Sequence, residues 1–268
     1  MWFWNKKHTI AASGILQGAV DHHSHILPGV DDGVETMDEA LRILSAYEAL
    51  GIKELWLTPH IMEDIPNSPA KLQASFEELK AAYKGNIKLH LAAEYMIDNH
   101  LRQLLQETNK LRHSQCEGRW HEQSEVTEGS KAPNGEGDNL LPIGNAGKHI
   151  LVETSYYNAP MRMNDTLQQI KSLGYFPLLA HPERYMYLSN ADYAKLHSQG
   201  VKFQLNLASL AGGYGKAVKK KAEWLLSNGL YSVAGTDLHC EDAIEYITNC
   251  KLSKQTIEQV ERLLHNSI

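Results

Sequence analysis

The stretch Asp21-His22-His23-Ser24-His25-Ile26-Leu27-Pro28-Gly29-Val30-Asp31-Asp32-Gly33 follows directly on the short run Gly18-Ala19-Val20. An apolar run ending in paired imidazoles reads as a buried strand whose C-terminal end carries chemistry. In an extended segment His23 and His25 fall on one side, so both can reach one ion. His22 has the opposite parity and reads as structural.

The same order recurs outward from this stretch. Glu54-Leu55-Trp56-Leu57-Thr58 reads as a strand and runs into His60. Strand-like runs at 87–92, 150–152, 176–180 and 231–234 lead to Glu94, Glu153, His181 and the pair Asp237, His239, and a further run at 201–205 leads to no candidate. Between them lie helical patterns. Met37, Ala40, Leu41, Leu44 and Tyr47 share helical spacing, with Thr36 as cap, Glu39 three residues on and Gly51 as stop. Ser68-Pro69 opens a helix to about residue 83, with Pro at the first helical position. Further helices are expected at 98–106, 163–173, 192–198, 215–227 and 254–264. Seven strand-like runs, mostly separated by helices, imply a parallel sheet, closed into a barrel or doubly wound. In an α/β barrel the strand C-terminal ends converge on one face, so these polar residues would meet there.

Their types select the chemistry. Imidazole with carboxylate and no thiolate suits zinc, manganese or iron. With Asp32 from the loop after the first strand, the candidates are His23, His25, Asp32, His60, Glu94, Glu153, His181, Asp237 and His239. One ion takes about four to six donors, so this set suits two or three divalent ions. The other histidines have plainer readings. His90 reads as packing in the core or against a helix, and His100 and His149 as structural. His8, His113, His121, His197 and His265 read as surface residues.

The 268 residues suit one domain, 1–268, of the size of an α/β barrel. Apolar residues are 43% and charged residues 22%, enough for a sizeable core. A formal net charge of -6 argues against a basic nucleic-acid-binding surface. A bound metal can still make one site locally positive for an anionic substrate. The three cysteines, Cys116, Cys240 and Cys250, form no CxxC pair and no disulfide framework, which points to a reducing cytoplasm. No run of apolar residues is long enough to span a membrane. The N-terminal Trp2, Phe3 and Trp4 precede a Lys pair and do not read as a signal peptide. They allow a peripheral membrane contact or packing onto the domain. From about 107 to 147 the chain loses periodicity, and 112–139 is expected to be a surface insertion.

The quoted stretch resembles the first motif of the PHP superfamily (polymerase and histidinol phosphatase). More narrowly, it resembles the bacterial tyrosine phosphatases of capsule and exopolysaccharide synthesis. Thr58-Pro59-His60, Ala93-Glu94-Tyr95, Val152-Glu153-Thr154, Ala180-His181-Pro182-Glu183-Arg184-Tyr185 and Gly235-Thr236-Asp237-Leu238-His239 continue the resemblance in order. It implies a distorted seven-stranded (β/α)7 TIM-like barrel and a trinuclear centre, often of manganese. It implies the nine candidates above as ligands and Arg184 as a phosphate binder. The bland reading of Arg184 is an ion pair with Glu183. His60 and Asp237 are also the candidates to protonate a leaving group, though both are claimed by metal.

The activity so implied is hydrolysis of protein phosphotyrosine, on an autophosphorylating kinase that controls polysaccharide export. A small-molecule phosphatase such as histidinol-phosphate phosphatase is the alternative on the same metal site. A noncatalytic polymerase-type module fits poorly with a complete ligand set. None of the cysteines begins a CxxxxxR phosphate loop, which excludes the thiol mechanism of other tyrosine phosphatases.

Overall fold

A computed structural model describes residues 7–119 and 139–268, with 114–119 by backbone only. The first half runs β1 His8–Thr9, α1 Ile10–Ser13, β2 Val20–Ser24, α2 Met37–Leu50, β3 Glu54–Leu57, β4 His60–Ile61, α3 Pro69–Ala82, β5 Lys88–Leu91, β6 Glu94–Met96 and α4 Asn99–Arg119. The second half runs β7 His149–Glu153, α5 Met163–Ser172, β8 Phe176–Ala180, a 3-10 turn Pro182–Arg184, α6 Asn190–Ser198, β9 Lys202–Asn206, α7 Leu207–Ala211, α8 Lys216–Ser227, β10 Val233–Gly235, α9 Asp242–Thr248, β11 Lys251–Leu252 and α10 Lys254–Leu264.

The helix signals act as expected. The Thr36 side chain accepts the Glu39 N–H at 3.3 Å, and Gly51, at φ 88°, ends α2. Ser68 caps α3 with Pro69 next to it.

The strands form a six-stranded parallel sheet in the order β10-β9-β8-β7-β6-β4 and a three-stranded parallel sheet β2-β3-β5. β1 and β11 pair separately and antiparallel. The two parallel sheets meet at both edges. At one edge the chain itself passes from one to the other, β3 into β4 and β5 into β6, with Ala92 N–H donating to Leu57 O (2.9 Å) before the break and Glu94 N–H to Pro59 O (3.1 Å) after it. Pro59 itself has no N–H to give, and there the sequence from β3 to β4 breaks step. At the other edge Asp237 N–H donates to His23 O (2.7 Å) and His25 N–H to Leu238 O (2.9 Å).

Strand alternation divides the core in two. Trp56, Leu151, Leu178, Ala180 and Val233 pack into one cluster of buried side chains. Ile150, Val152, Leu179, Phe203 and Leu205 face the other way, into the larger core cluster, where α5 packs on β8. All the parallel strands point in one direction, so their C-terminal ends open onto one face.

One expectation needs correction. The helix expected over 98–106 continues to Arg119, beyond the expected start of the insertion at 112. The extension is docked: Arg112 donates to Leu173 O and lies over the Tyr175 ring at 5.1 Å. Of the expected insertion, 120–138 lies outside the described residues, as do Trp2, Phe3, Trp4 and His121. His90 takes the first of its two expected places, against the core. It is half-buried on β5, stacked on Trp56 with ring centroids 4.4 Å apart, and pairs with Glu54 at 3.0 Å. His149 is buried but bonds nothing through either ring nitrogen, and burial lowers its pKa to about 4. Among the described residues no helix is long and apolar enough to cross a membrane.

Candidate metal centre

The strand ends deliver the site. The register of β2 against β3 shifts between Asp21 and Ser24. Such a bulge breaks strict alternation and re-aims side chains near active sites. His22 consequently turns its Nδ1–H to Ala234 O (3.2 Å), while His23 reaches Gln204 on β9 (3.0 Å). His60 begins β4, Glu94 begins β6 and Glu153 ends β7. His181 follows β8 directly, and Asp237 lies two residues after β10. These last two hold positive φ angles of 32° and 52°. Non-glycine residues rarely do so, and such strain clusters at functional sites.

Neighbouring side chains fix which imidazole nitrogens carry lone pairs. Gln204 Oε1 accepts the His181 backbone N–H at 3.1 Å, and its Nε2 donates to Leu205 O at 2.7 Å. The amide orientation is therefore set by the backbone. His23 Nδ1 must donate to that oxygen, leaving the lone pair on Nε2. Asp31 acts likewise for His25, accepting from its Nδ1 at 2.8 Å and from the His60 backbone N–H at 3.0 Å. His239 Nδ1 donates to Asp237 O at 3.0 Å, which frees its Nε2. Outer partners of this kind orient metal-binding imidazoles.

The freed atoms then meet. His23 Nε2 and His25 Nε2 lie 3.1 Å apart, lone pair against lone pair. Glu94 Oε2 is 3.2 and 3.4 Å from them, and Asp237 Oδ1 is 3.4 Å from each. Imidazole and carboxylate donors packed this closely suit a divalent ion, which keeps about 2.0 Å from each. Glu94 Oε2 and His60 Nδ1 are buried without a hydrogen-bond partner, as ligand atoms would be. Three overlapping groups bring all nine candidates together: His25, Asp32, His60 and His239; His23, Glu94, His181 and Asp237; His60, Glu94 and Glu153. Glu94 has an oxygen for each of its two groups. His60 also belongs to two, but a neutral imidazole has one lone pair, so it serves one at a time.

The electrostatics call for cations. Glu94, Glu153 and Asp237 are buried around the single guanidinium of Arg184. Burial opposes ionisation of Glu94, yet protons on His23, His181 and His25, standing where a cation would, hold its pKa well below the usual carboxylate range. Asp237 is lowered similarly, against burial, by His23, His25 and His181. Burial, then Glu94 and Asp237, push Glu153 well above that range. Burial and then His25 lower His60 to about 4.

A cavity of about 530 Å³ opens over the cluster. Its floor includes Glu94, Glu153 and His181, and Met62, Ile65, Met96, Ala243 and Ile247 contribute apolar walls. Arg184 lines it, donating Nη1–H to Asp237 Oδ2 at 3.2 Å. The bland reading of Arg184 is wrong, because Glu183 faces elsewhere. That carboxylate is buried, accepting from Asn206 N–H at 3.0 Å and Tyr231 O–H at 2.8 Å.

Sequence reading passed over Asp31, Gln204, Asn206, Tyr156 and Tyr214. A signal existed for two of them. In Phe203-Gln204-Leu205-Asn206 the polar residues alternate with apolar ones, placing both amides on the face opposite the helices. Asp31 and Asp32 are adjacent carboxylates, and nothing in the motif says that Asp31 turns inward while Asp32 stays 64% exposed at its side chain.

Gly33 allows the close turn that seats Asp31. A Cβ there would lie 2.2 Å from His25 O and 2.6 Å from His25 Cβ. Gly33→Ala is therefore expected to lose at least about 1–3 kcal/mol of stability by overpacking. Thermal unfolding checks this, and an unchanged Tm would contradict it.

Comparison with known proteins places this arrangement in context. Residues 19–118 and 137–262 match the family model for capsular polysaccharide synthesis, CpsB/CapC. The putative tyrosine-protein phosphatase CapC of Staphylococcus aureus is 24% identical over 257 residues, covering 92% of this chain and 89% of that protein. The tyrosine-protein phosphatase YwqE of Bacillus subtilis (strain 168) is 26% identical over 226 residues, covering 82% and 77%. One chain from the crystal structures of YwqE from Bacillus subtilis and CpsB from Streptococcus pneumoniae, there called unique metal-dependent tyrosine phosphatases, superposes with a TM-score of 0.67. Its identity is 22%, and the match covers 93% of this chain and 95% of that one.

Proposed function

The chain belongs to the CpsB/CapC family of capsular polysaccharide synthesis, and from that premise we propose that it is a metal-dependent phosphatase of protein phosphotyrosine. Its substrate is an autophosphorylating tyrosine kinase controlling polysaccharide export, and it works in the reducing cytoplasm. The two joined parallel sheets read as one distorted seven-stave barrel, with β3–β4 and β5–β6 each a single broken stave, in one domain. The observation that carries the reading is the pair of imidazole lone pairs 3.1 Å apart between two carboxylate oxygens, beneath a cavity that Arg184 lines.

His23, His25, Asp32, His60, Glu94, Glu153, His181, Asp237 and His239 would hold two or three divalent ions, manganese suiting this N/O donor set alongside zinc and iron. Such ions supply Lewis-acid charge neutralisation and activate water at neutral pH. The remaining work falls to the chain. Asp31, Gln204 and the Asp237 carbonyl keep three imidazoles in the binding tautomer. Arg184 offers N–H donors to phosphoryl oxygens, where charge develops as the ester bond breaks. A phenolate, with a pKa near 10, needs less proton assistance on leaving than an alkoxide would.

The test is phosphate release from a phosphotyrosine peptide and from histidinol phosphate, with chelation and manganese re-addition. The peptide is expected to be the better substrate, chelation to abolish turnover and manganese to restore it. The triple variant Cys116→Ser, Cys240→Ser, Cys250→Ser should stay active. Turnover that survives exhaustive chelation, or is lost in the folded triple variant, would overturn the mechanism. Preference for histidinol phosphate would overturn the substrate class.

A further inference from the structure

Arg184 lies over two aromatic rings. Its guanidinium carbon lies 3.9 Å from the ring centroid of Tyr156 and 4.1 Å from that of Tyr214, well inside cation–π range. The rings come from different strand ends: Tyr156 from the loop after β7, Tyr214 from the turn after α7. Arg184 itself ends the 3-10 turn after β8. Each ring is tied into the site. Tyr156 stacks on Tyr185 at 6.1 Å and 18°, and Tyr214 O–H accepts from Asn206 Nδ2 at 3.3 Å. The same Asn206 Nδ2 donates to Asp237 Oδ2 at 2.7 Å, the oxygen that also receives Arg184 Nη1. Both tyrosines are 38% exposed, whereas the Arg184 side chain is 16% exposed.

We propose that Tyr156 and Tyr214 are positioning residues: they clamp the Arg184 guanidinium flat, so that it meets a phosphoryl group edge-on. An arginine has several flexible torsions and a planar fork of donors, and its value to a bound phosphate depends on holding that plane. The N–H bonds lie in the guanidinium plane, so two rings stacked against it would fix the direction in which those donors point. The Asp237 contact fixes rotation within the plane. Without the rings, Arg184 retains its charge but not its aim. The rings act through Arg184, so their contribution disappears when Arg184 is absent. This inference rests on the phosphatase reading above.

The experiment is a double-mutant cycle read by kcat/KM on an aryl phosphate and, separately, by calorimetric titration of manganese-loaded protein with inorganic phosphate. Tyr156→Leu and Tyr214→Leu should each lower kcat/KM about tenfold and weaken phosphate binding, with metal content unchanged. Tyr156→Phe and Tyr214→Phe, which keep the rings, should recover most of the loss. In an Arg184→Ala background the Leu substitutions should have almost no further effect. Leu losses that multiply fully with Arg184→Ala, or folded Leu variants with unaltered phosphate binding, would overturn the clamp. If the unmodified protein releases no phosphate from aryl esters, the phosphatase reading fails. The phosphate titrations then decide the clamp on their own.

Discussion

Glu94→Gln is expected to lose bound divalent metal and about three or more orders of magnitude in kcat. Glu94 is fully buried, and its Oε2 lies 3.2–3.4 Å from nitrogens of His23, His25 and His60. Its Oε1 lies 3.0 Å from His181 Nε2, and it belongs to two of the three donor groups. Glutamine has nearly the same shape but removes the charge and turns N–H donors toward imidazole lone pairs. His181→Ala and Asp237→Ala, each removing one donor, should also lower kcat by orders of magnitude. Metal analysis beside turnover checks all three. Normal metal content with near-normal rates would contradict the ligand assignment.

Arg184→Ala is expected to keep its metals and its fold and to lose about 2–4 kcal/mol of transition-state stabilisation, the usual cost of removing one charge-stabilising donor. A guanidinium has no lone pair, so Arg184 cannot itself be a ligand. Its partner Asp237 keeps the Asn206 hydrogen bond and the nearby imidazoles after the substitution. Arg184→Lys should recover part of the loss, because an ammonium supplies charge without the planar fork. The readout is kcat/KM on an aryl phosphate. A value for the Ala variant within about threefold of the unmodified protein would remove Arg184 from the chemistry.

The parts of the fold that local signals specify were legible before the structure. Thr36 and Ser68 start their helices and Gly51 ends one, because orphan N–H groups need side-chain acceptors and a left-handed residue suits a helix end. The places of His60 and Glu94 just beyond β3 and β5, of Glu153 at the end of β7 and of His181 just after β8 follow from apolar runs that stop at a polar residue.

What stayed hidden depends on partners distant in sequence. The β2 bulge is a register shift against β3, which no pattern within residues 20–24 reveals. Asp31 is singled out from Asp32 only by where His25 and the His60 backbone lie. The continuation of α4 past residue 106 is docked through Arg112 on Leu173 and Tyr175, where the helical periodicity has faded. The aromatic clamp joins residues 156, 184 and 214, from three different strand ends, and each tyrosine alone reads as an ordinary loop residue. Sequence can therefore nominate ligand atoms, whereas the tautomers and clamps that orient them emerge only from tertiary packing.

The most direct test of a buried multinuclear phosphatase centre is the divalent metal content of purified, catalytically active protein, measured per chain beside Glu94→Gln. About two to three ions per chain are expected in the unmodified protein, given nine donors in three overlapping groups. Less than one is expected in the variant. Active protein carrying less than one ion per chain, or a variant that retains the full complement, would contradict it.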